Sequence, residues 1–419
     1  MKLGVIADDF TGAVDIAGFL DLNGLSTLLC NGVPSELPPT ETGALVVSLK
    51  IRSCPPPQAV LEALEALAFL QRCGCTHFYY KYCSTFDSTH EGNIGPVVDA
   101  LMKTLQVRTT IVCPALPVNK RTVYQGYLFV GENLLQDSSM KDHPITPMRD
   151  SKLARLMQGQ CSGTTTHIYH QDILQGASHI QSLLKHAEEA GFSYVVTDIL
   201  TDTDLQQLAI AVLQMHLVTG GSGLAPALAQ AYNSRGYGRP LAVGLATPTR
   251  QKGVVLAGSC SQMTNRQVAR YLEQAAGLSV DIARCLDDQT YVQETVGWVL
   301  DHIQDTYAPL VYSTRTPAGL AEIKAQYPTI DVAERIEGFF AHIAVRLAHH
   351  DVRNFIIAGG ETSGVVVQAL QVGAFYIGNQ IDPGVSWVKS VGGVYNLALK
   401  SGNFGSVDFF CHAQDMLRT

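Results

Sequence analysis

MKLGVIADDFTGAVDIAG, residues Met1 to Gly18, decides the fold reading of this chain. Leu3 to Ala7 is a short, uncharged apolar run, the signature of a buried strand. It stops at two carboxylates, Asp8 and Asp9, followed by Thr11-Gly12 and a helical pattern through Ala13, Ile16, Ala17 and Leu20. In an open parallel sheet, ligands sit at the carboxyl ends of strands. A hydroxyl-and-glycine turn that opens a helix also offers backbone N–H groups to an anion. Asp8 and Asp9 therefore fall where a substrate would lie. The plainer alternative is an Asp N-cap with a solvated neighbour.

Outward from this unit the pattern repeats. Strands are predicted at Ser26–Cys30, Ala44–Leu49, His77–Tyr82, Thr109–Cys113, Thr166–Tyr169 and Ser193–Asp198. Helical periodicity lies between them, over Pro57–Arg72, Pro96–Leu105, Ala177–Ala190 and Leu205–Met215. Such alternation builds a parallel sheet covered by helices. Residues Asn233 to Gly253, NSRGYGRPLAVGLATPTRQKG, break the periodicity and read as a linker. The alternation then restarts with strands at Val254–Ala257, Ser279–Ile282, Leu310–Ser313 and Phe355–Ala358, and helices at Asn265–Ala276, Thr290–Gln304 and Arg335–His349. Thr264-Asn265-Arg266-Gln267 reads as a capping box for the first of these helices. The expectation is an α/β protein of two domains, 1–235 and 253–419, joined by a linker at 236–252. Each domain is a mostly parallel sheet covered by helices, with an interdomain cleft as the usual place for a two-substrate site.

Composition narrows the function class. The 419 residues are 46% hydrophobic and 16% charged, as in globular proteins, and the net charge of −8 argues against nucleic acid or an anionic membrane as partner. No apolar stretch reaches the roughly 18 residues of a membrane span, and the N-terminus lacks the pattern of a secretory leader. Ten cysteines, several in apolar runs such as those around Cys30, Cys113 and Cys285, suit reduced thiols in a cytoplasmic protein. Cys73-Gly74-Cys75 with His77 is a weak metal motif, since no second ligand pair follows at zinc-site spacing. The oligomeric state is left open.

Several turns carry the grammar of ligand loops. FIIAGGETSG, from Phe355, runs a strand into Gly359-Gly360, then Glu361-Thr362-Ser363 and a helix, which suits phosphate although the Walker A lysine is missing. VVLAGSCS, from Val254, delivers Ser259 in the same way, and ALKSGNFG, from Ala398, offers Lys400, Gly402 and Gly405. Asp382 in DPGVSW either meets a metal or starts a turn. In the first half, SLKIRS places Arg52 past a strand, YKYCSTFDSTHEGNIG places Lys81 and Asp87, and HPITP from His143 and VTGGSGL from Val218 form further turns. Together these loops suit a small hydroxylated carboxylate in the first domain and a nucleotide in the second. A dehydrogenase is disfavoured because no GxGxxG with a downstream acid follows any strand. A non-catalytic sensor would bind such an acid without a nucleotide.

The ordered set IADDFTGAVDIAG, KYCSTFDSTHEGNIG, HPITPMRDS, VTGGSGLA, GSCSQMTNRQV, AGGETSG, IDPGVSW and ALKSGNFG resembles the four-carbon acid sugar kinases over essentially the whole chain. PALPVNKRTVYQGYLFV, from Pro114, is most similar to the members acting on a 3-oxo acid, while the D-threonate and D-erythronate kinases share most motifs. The resemblance implies phosphorylation of a terminal C4 hydroxyl with ATP and Mg²⁺. It implies that Asp8, Asp9, Arg52 and Lys81 hold the sugar acid, with Asp9 or Asp8 as base. It further implies that Ser259, Gly359, Gly360, Glu361, Thr362 and Gly402 or Gly405 hold ATP.

Overall fold

The computed structural model describes residues 2–34, 42–143, 146–237, 251–287 and 290–418. The chain forms two compact units, Met1–Leu241 and Ala242–Thr419. Most of the expected linker, residues 238–250, lies outside the described residues, as do Pro144 and Ile145 of the HPITP turn.

The first unit carries strands β1 (Leu3–Ala7), β2 (Thr27–Asn31), β3 (Ala44–Ser48), β4 (His77–Lys81) and β5 (Thr110–Cys113). A small antiparallel sheet follows, β6 (Arg121–Tyr124), β7 (Tyr127–Val130) and β8 (Asn133–Leu134), then β9 (Thr165–Ile168), β10 (Tyr194–Thr197) and β11 (Leu217–Gly220). The main sheet of this unit runs β2-β3-β1-β4-β11-β5-β10-β9, and every adjoining pair is parallel. The strands are apolar throughout because helices cover the sheet; Val5, Ile6, Val46, Val112 and Val195 are fully buried. From β1 the chain builds outward through β2 and β3 on one side and through β4 on the other. The carboxyl end of β1 is thus a topological switch point, where loops diverge and leave a crevice.

The second unit carries β12 (Gly253–Ala257), β13 (Gly277–Ser279), β14 (Leu310–Tyr312), β15 (Asn354–Ala358), β16 (Ala374–Asp382), β17 (Val385–Ser390) and β18 (Asn396–Lys400). Their order is β13-β14-β12-β15-β18-β17-β16; the first five are parallel and the last two pairings antiparallel. The DPGVSW turn joins β16 to β17, with Gly384 at φ +79°. Trp387, fully buried, donates from Nε1 to the Ala413 carbonyl at 3.0 Å and anchors this hairpin to the helix Phe409–Asp415. Again the switch point, between β12 and β15, coincides with glycine-rich loops.

One cap differs from the sequence reading. The helix Gln262–Tyr271 is capped by Ser261, whose Oγ accepts from the Thr264 N–H at 3.2 Å, not by a box beginning at Thr264. Thr264 is instead fully buried inside the first turn, its hydroxyl turned to the Gly402 carbonyl. Thus tertiary contact, not local capping, sets its role.

Candidate active site

In the first unit, the ends of β1, β3 and β4 bring Asp8, Asp9, Arg52 and Lys81 together. Asp9 caps the helix Phe10–Leu22: its Oδ1 accepts from the Gly12 N–H at 3.1 Å and its Oδ2 from the Thr11 hydroxyl at 2.7 Å. Arg52 grips Asp8 in a fork, Nε to Oδ2 and Nη2 to Oδ1 both at 2.9 Å, and Nη2 also meets Asp9 Oδ1 at 2.6 Å. The Arg52 loop is fixed by its backbone, since Leu49 N–H donates to the Ala7 carbonyl and Ile51 N–H to that of Asp8. Lys81, last residue of β4, sets its ammonium 3.8 Å from Asp9 Oδ1. That is the one polar contact of this ammonium among the described residues. Gly12 makes room for it, because a Cβ there would lie 2.0 Å from Lys81 Nζ and 2.3 Å from Asp9 Oδ1.

The two aspartates differ. Asp8 is only 4% exposed at its side chain, whereas Asp9 and Arg52 are 24% and 26% exposed. Burial pushes the Asp8 carboxyl up against the pull of Arg52, and the charge of Asp9 adds to the push. Burial also acts on Asp9, but Arg52, Lys81 and the Thr11 and Gly12 hydrogen bonds outweigh it and hold the carboxyl down at about 2. Asp9 is therefore the ionised, solvent-reachable acid, and Asp8 the buried anchor that orients Arg52. The Arg52 guanidinium is largely occupied by these two acids.

Two further residues belong here. Asp15, one and a half turns into the helix, is buried and accepts from the Ser222 hydroxyl, while its Oδ1 has no partner among the described residues. Burial raises it to about 6 against the pull of Lys81. An acid amid GAVDIAGFL, an otherwise apolar helix face, was the available signal. Asp87 is also buried and accepts from the Thr85 hydroxyl at 2.6 Å.

In the second unit, three loops meet at the carboxyl ends of β12, β15 and β18. Gly258 and Ser259 N–H groups both donate to the Ala358 carbonyl, at 3.0 and 3.1 Å, and Gly359 N–H donates to that of Lys400 at 2.9 Å. Gly359 has φ +131°, a region reserved for glycine, and a Cβ there would stand 2.9 Å from Thr362 Oγ1 and 3.2 Å from the Ser259 nitrogen. Gly360 opens the helix Gly360–Ala369; Glu361 is exposed and Thr362 and Ser363 are buried in its first turn. Gly402 lies against Ser259 and Ser261, and Gly405 turns at φ +82°. This helix start and its close-approaching glycines form a cradle suited to phosphate. Asp382 is engaged by Ser406, which donates from N–H at 2.8 Å and Oγ at 2.9 Å, so it holds the loop after β18. Lys400 likewise points to protein acceptors and not outward. Among the described residues no three of His, Cys, Asp and Glu form a metal cage, the Cys73–Cys75 motif included.

Residues 3–228 match the family model described as a sugar-binding N-terminal domain, and residues 254–410 that of a nucleotide-binding C-terminal domain. The chain belongs to the four-carbon acid sugar kinase family. A Pectobacterium atrosepticum protein named 3-oxo-tetronate kinase is 50% identical over 99% of this chain and 99% of its own. One of the same name from Brucella melitensis biotype 1 is 48% identical over 99% of this chain and 95% of its own. A crystal structure of a Haemophilus influenzae protein of the DUF1537 family, 48% identical, aligns with TM-score 0.83 over 99% of this chain and 100% of that one. The family's sugar-binding half coincides with the Asp8–Arg52 site and its nucleotide-binding half with the glycine cradle.

Proposed function

We propose that this chain is an ATP-dependent kinase that phosphorylates the C4 hydroxyl of a four-carbon sugar acid, 3-oxo-tetronate, giving its 4-phosphate and ADP. The observation that carries this reading is the near-full-length identity, at 48–50%, to proteins named 3-oxo-tetronate kinase. The geometry supports the following roles. The substrate O4 forms a bond to the γ-phosphorus, the bond from that phosphorus to the β,γ-bridging oxygen breaks, and ADP leaves. The O4 proton passes to Asp9, which is ionised and solvent-reachable. A loose transition state asks little basicity of such an acid and much positioning. Asp8 orients Arg52 through the bidentate pair, a geometry that fixes a guanidinium in plane. Lys81, whose ammonium has donors to spare, receives the substrate carboxylate, with the remaining Arg52 N–H groups beside it.

ATP lies with its phosphates on Ser259, Gly359, Gly360, Glu361 and Thr362 backbone, closed over by Gly402 and Gly405. Mg²⁺ accompanies the nucleotide. Mg²⁺ keeps several waters and binds mainly through substrate phosphates, so it asks for few protein ligands. When bound, it neutralises phosphate charge. Domains at 1–235 and 253–419 divide these tasks. Ten free thiols and dependence on ATP suit the cytoplasm.

The test is ADP release from Mg-ATP over 3-oxo-tetronate, D-threonate, D-erythronate and L-threonate, with a no-acceptor control. Turnover on the 3-oxo acid is expected. Turnover confined to a threonate or an erythronate would replace the substrate but keep the kinase. Acid binding with no ATP response would favour a sensor.

A further inference from the structure

Lys400 ends β18 and is fully buried. Its Nζ donates to Thr264 Oγ1 at 3.0 Å and to the Gly402 carbonyl at 2.9 Å. The same carbonyl accepts from Ser261 Oγ at 2.6 Å and Thr264 Oγ1 at 2.9 Å. Three side chains thus converge on one backbone oxygen of the loop that crosses the phosphate cradle. Two N–H bonds match a neutral amine; an ammonium has a third donor that these partners leave over.

The countercharge is missing. The elements packed around Lys400 carry Arg266 and Arg270, Glu361, Asp382, Lys389 and Asp408. None of them forms an ion pair with it among the described residues, and burial alone lowers its pKa, to about 7. Asp382 and Asp408 are engaged elsewhere, with Ser406 and Arg270. Ser363 Oγ, on the first turn after the glycine pair, is buried without a partner among the described residues. A fully buried amine with no acid paired to it among the described residues is one whose protonated form an anion arriving with a ligand would stabilise.

We propose that Lys400 is a positioning residue that sets the Gly402 loop, and that the phosphates of the bound nucleotide are its countercharge, so that nucleotide binding is coupled to protonation of this amine. The proposal rests on the reading of the second unit as the nucleotide site. The sign follows from linkage. Nucleotide raises the affinity of Lys400 for a proton, so binding takes a proton up above the free-enzyme pKa, and affinity falls as pH rises.

The experiment is calorimetric titration of the full-length protein with ADP between pH 7.5 and 9, above the last ionisation of the diphosphate, in two buffers of different ionisation enthalpy. The wild type is expected to take up part of a proton, with Kd rising by up to about tenfold per pH unit. Lys400→Met should bind more weakly, with no uptake and a flat profile. Thr264→Val, which keeps the amine but loses the hydroxyl bridge, should weaken binding yet retain the uptake. Melting curves show whether each variant is folded, and Lys400→Gln serves if Lys400→Met is not. ADP binding by the wild type without proton uptake, or uptake that persists in the folded Lys400 variant, would overturn the proposal and leave the nucleotide site standing. No ADP binding by the wild type would remove both.

Discussion

Replacing Gly12 with alanine separates the site from the fold. The added Cβ would stand 2.0 Å from Lys81 Nζ and 2.3 Å from Asp9 Oδ1. Both atoms are side-chain tips, so the backbone can stay while they withdraw. The ammonium must retreat by about 1.4 Å to reach the 3.4 Å of ordinary van der Waals contact. A misplacement of about 1 Å in a positioning group can cost about 10²-fold in rate. Helix formation responds in the opposite sense, since alanine inside a helix is favoured over glycine by roughly 0.5–1 kcal/mol. Disturbing the Asp9 cap, worth about 1 kcal/mol, offsets that gain. Gly12→Ala is therefore expected to keep its melting temperature within a few degrees while kcat/KM for the sugar acid falls by about 10²-fold or more. Steady-state ADP release and differential scanning calorimetry on one preparation measure both. Activity within threefold of wild type at an unchanged melting temperature would refute the placement of Lys81 and Asp9 at the reacting end of the substrate.

Asp9→Asn removes the proton acceptor and should lower kcat by about 10²- to 10⁴-fold. It should also lower urea stability at neutral pH, because Arg52 and Lys81 favour the ionised carboxylate in the fold, a loss that fades as pH falls from 3.8 through about 2. Asp8→Asn should instead act through Arg52, which loses its bidentate partner, so KM for the sugar acid should rise more than kcat falls; equal effects of the two variants on kcat and KM would erase the distinction drawn between them. Asp15, raised from 3.8 to about 6, favours the folded state when protonated, so its contribution is full below pH 3.8 and is lost as pH rises through about 6. Asp15→Asn should accordingly gain roughly 1–3 kcal/mol over the wild type at pH 8 and nothing at pH 4, read from urea midpoints; a gain independent of pH would show that charge is not the cause.

Buried parallel strands were readable where they are unbroken apolar runs: Leu3–Ala7 is a strand over those same residues, and most of the others expected fall within a residue or two, whereas β11 and β18 read only as Gly/Ser turns. Ser279–Ile282 moved to Gly277–Ser279, where pairing to β14 outweighs the apolar Val280 and Ile282. The small sheet β6–β8 and the hairpin β16–β17 escaped, since half-exposed strands such as Tyr127–Val130 give little contrast and the Pro383-Gly384 turn reads equally as a loop. In the site, Asp8, Asp9, Arg52 and Lys81 stood out by lying past strand ends. Their pairing did not: which acid Arg52 grips depends on strand order, with β1 between β3 and β4. Lys400 read as a phosphate ligand by chemistry, yet the register that pairs it with Ala358 buries it.

Strand β11 lies between β4 and β5, pairing Leu217–Gly220 with Phe78–Lys81 on one side and Thr219–Gly220 with Val112–Cys113 on the other. Strands consecutive in the chain are thus held apart until a segment some hundred residues later arrives to join them. During synthesis the nascent first unit must wait with two open sheet edges, and Ser222, which completes the polar setting of Asp15, follows β11 directly. Such long-range closure makes folding slow and leaves unfinished chains prone to edge pairing. Catalytic competence is accordingly a late event in the life of each polypeptide, tied to completion of its sheet and not to the early appearance of Asp8 and Asp9.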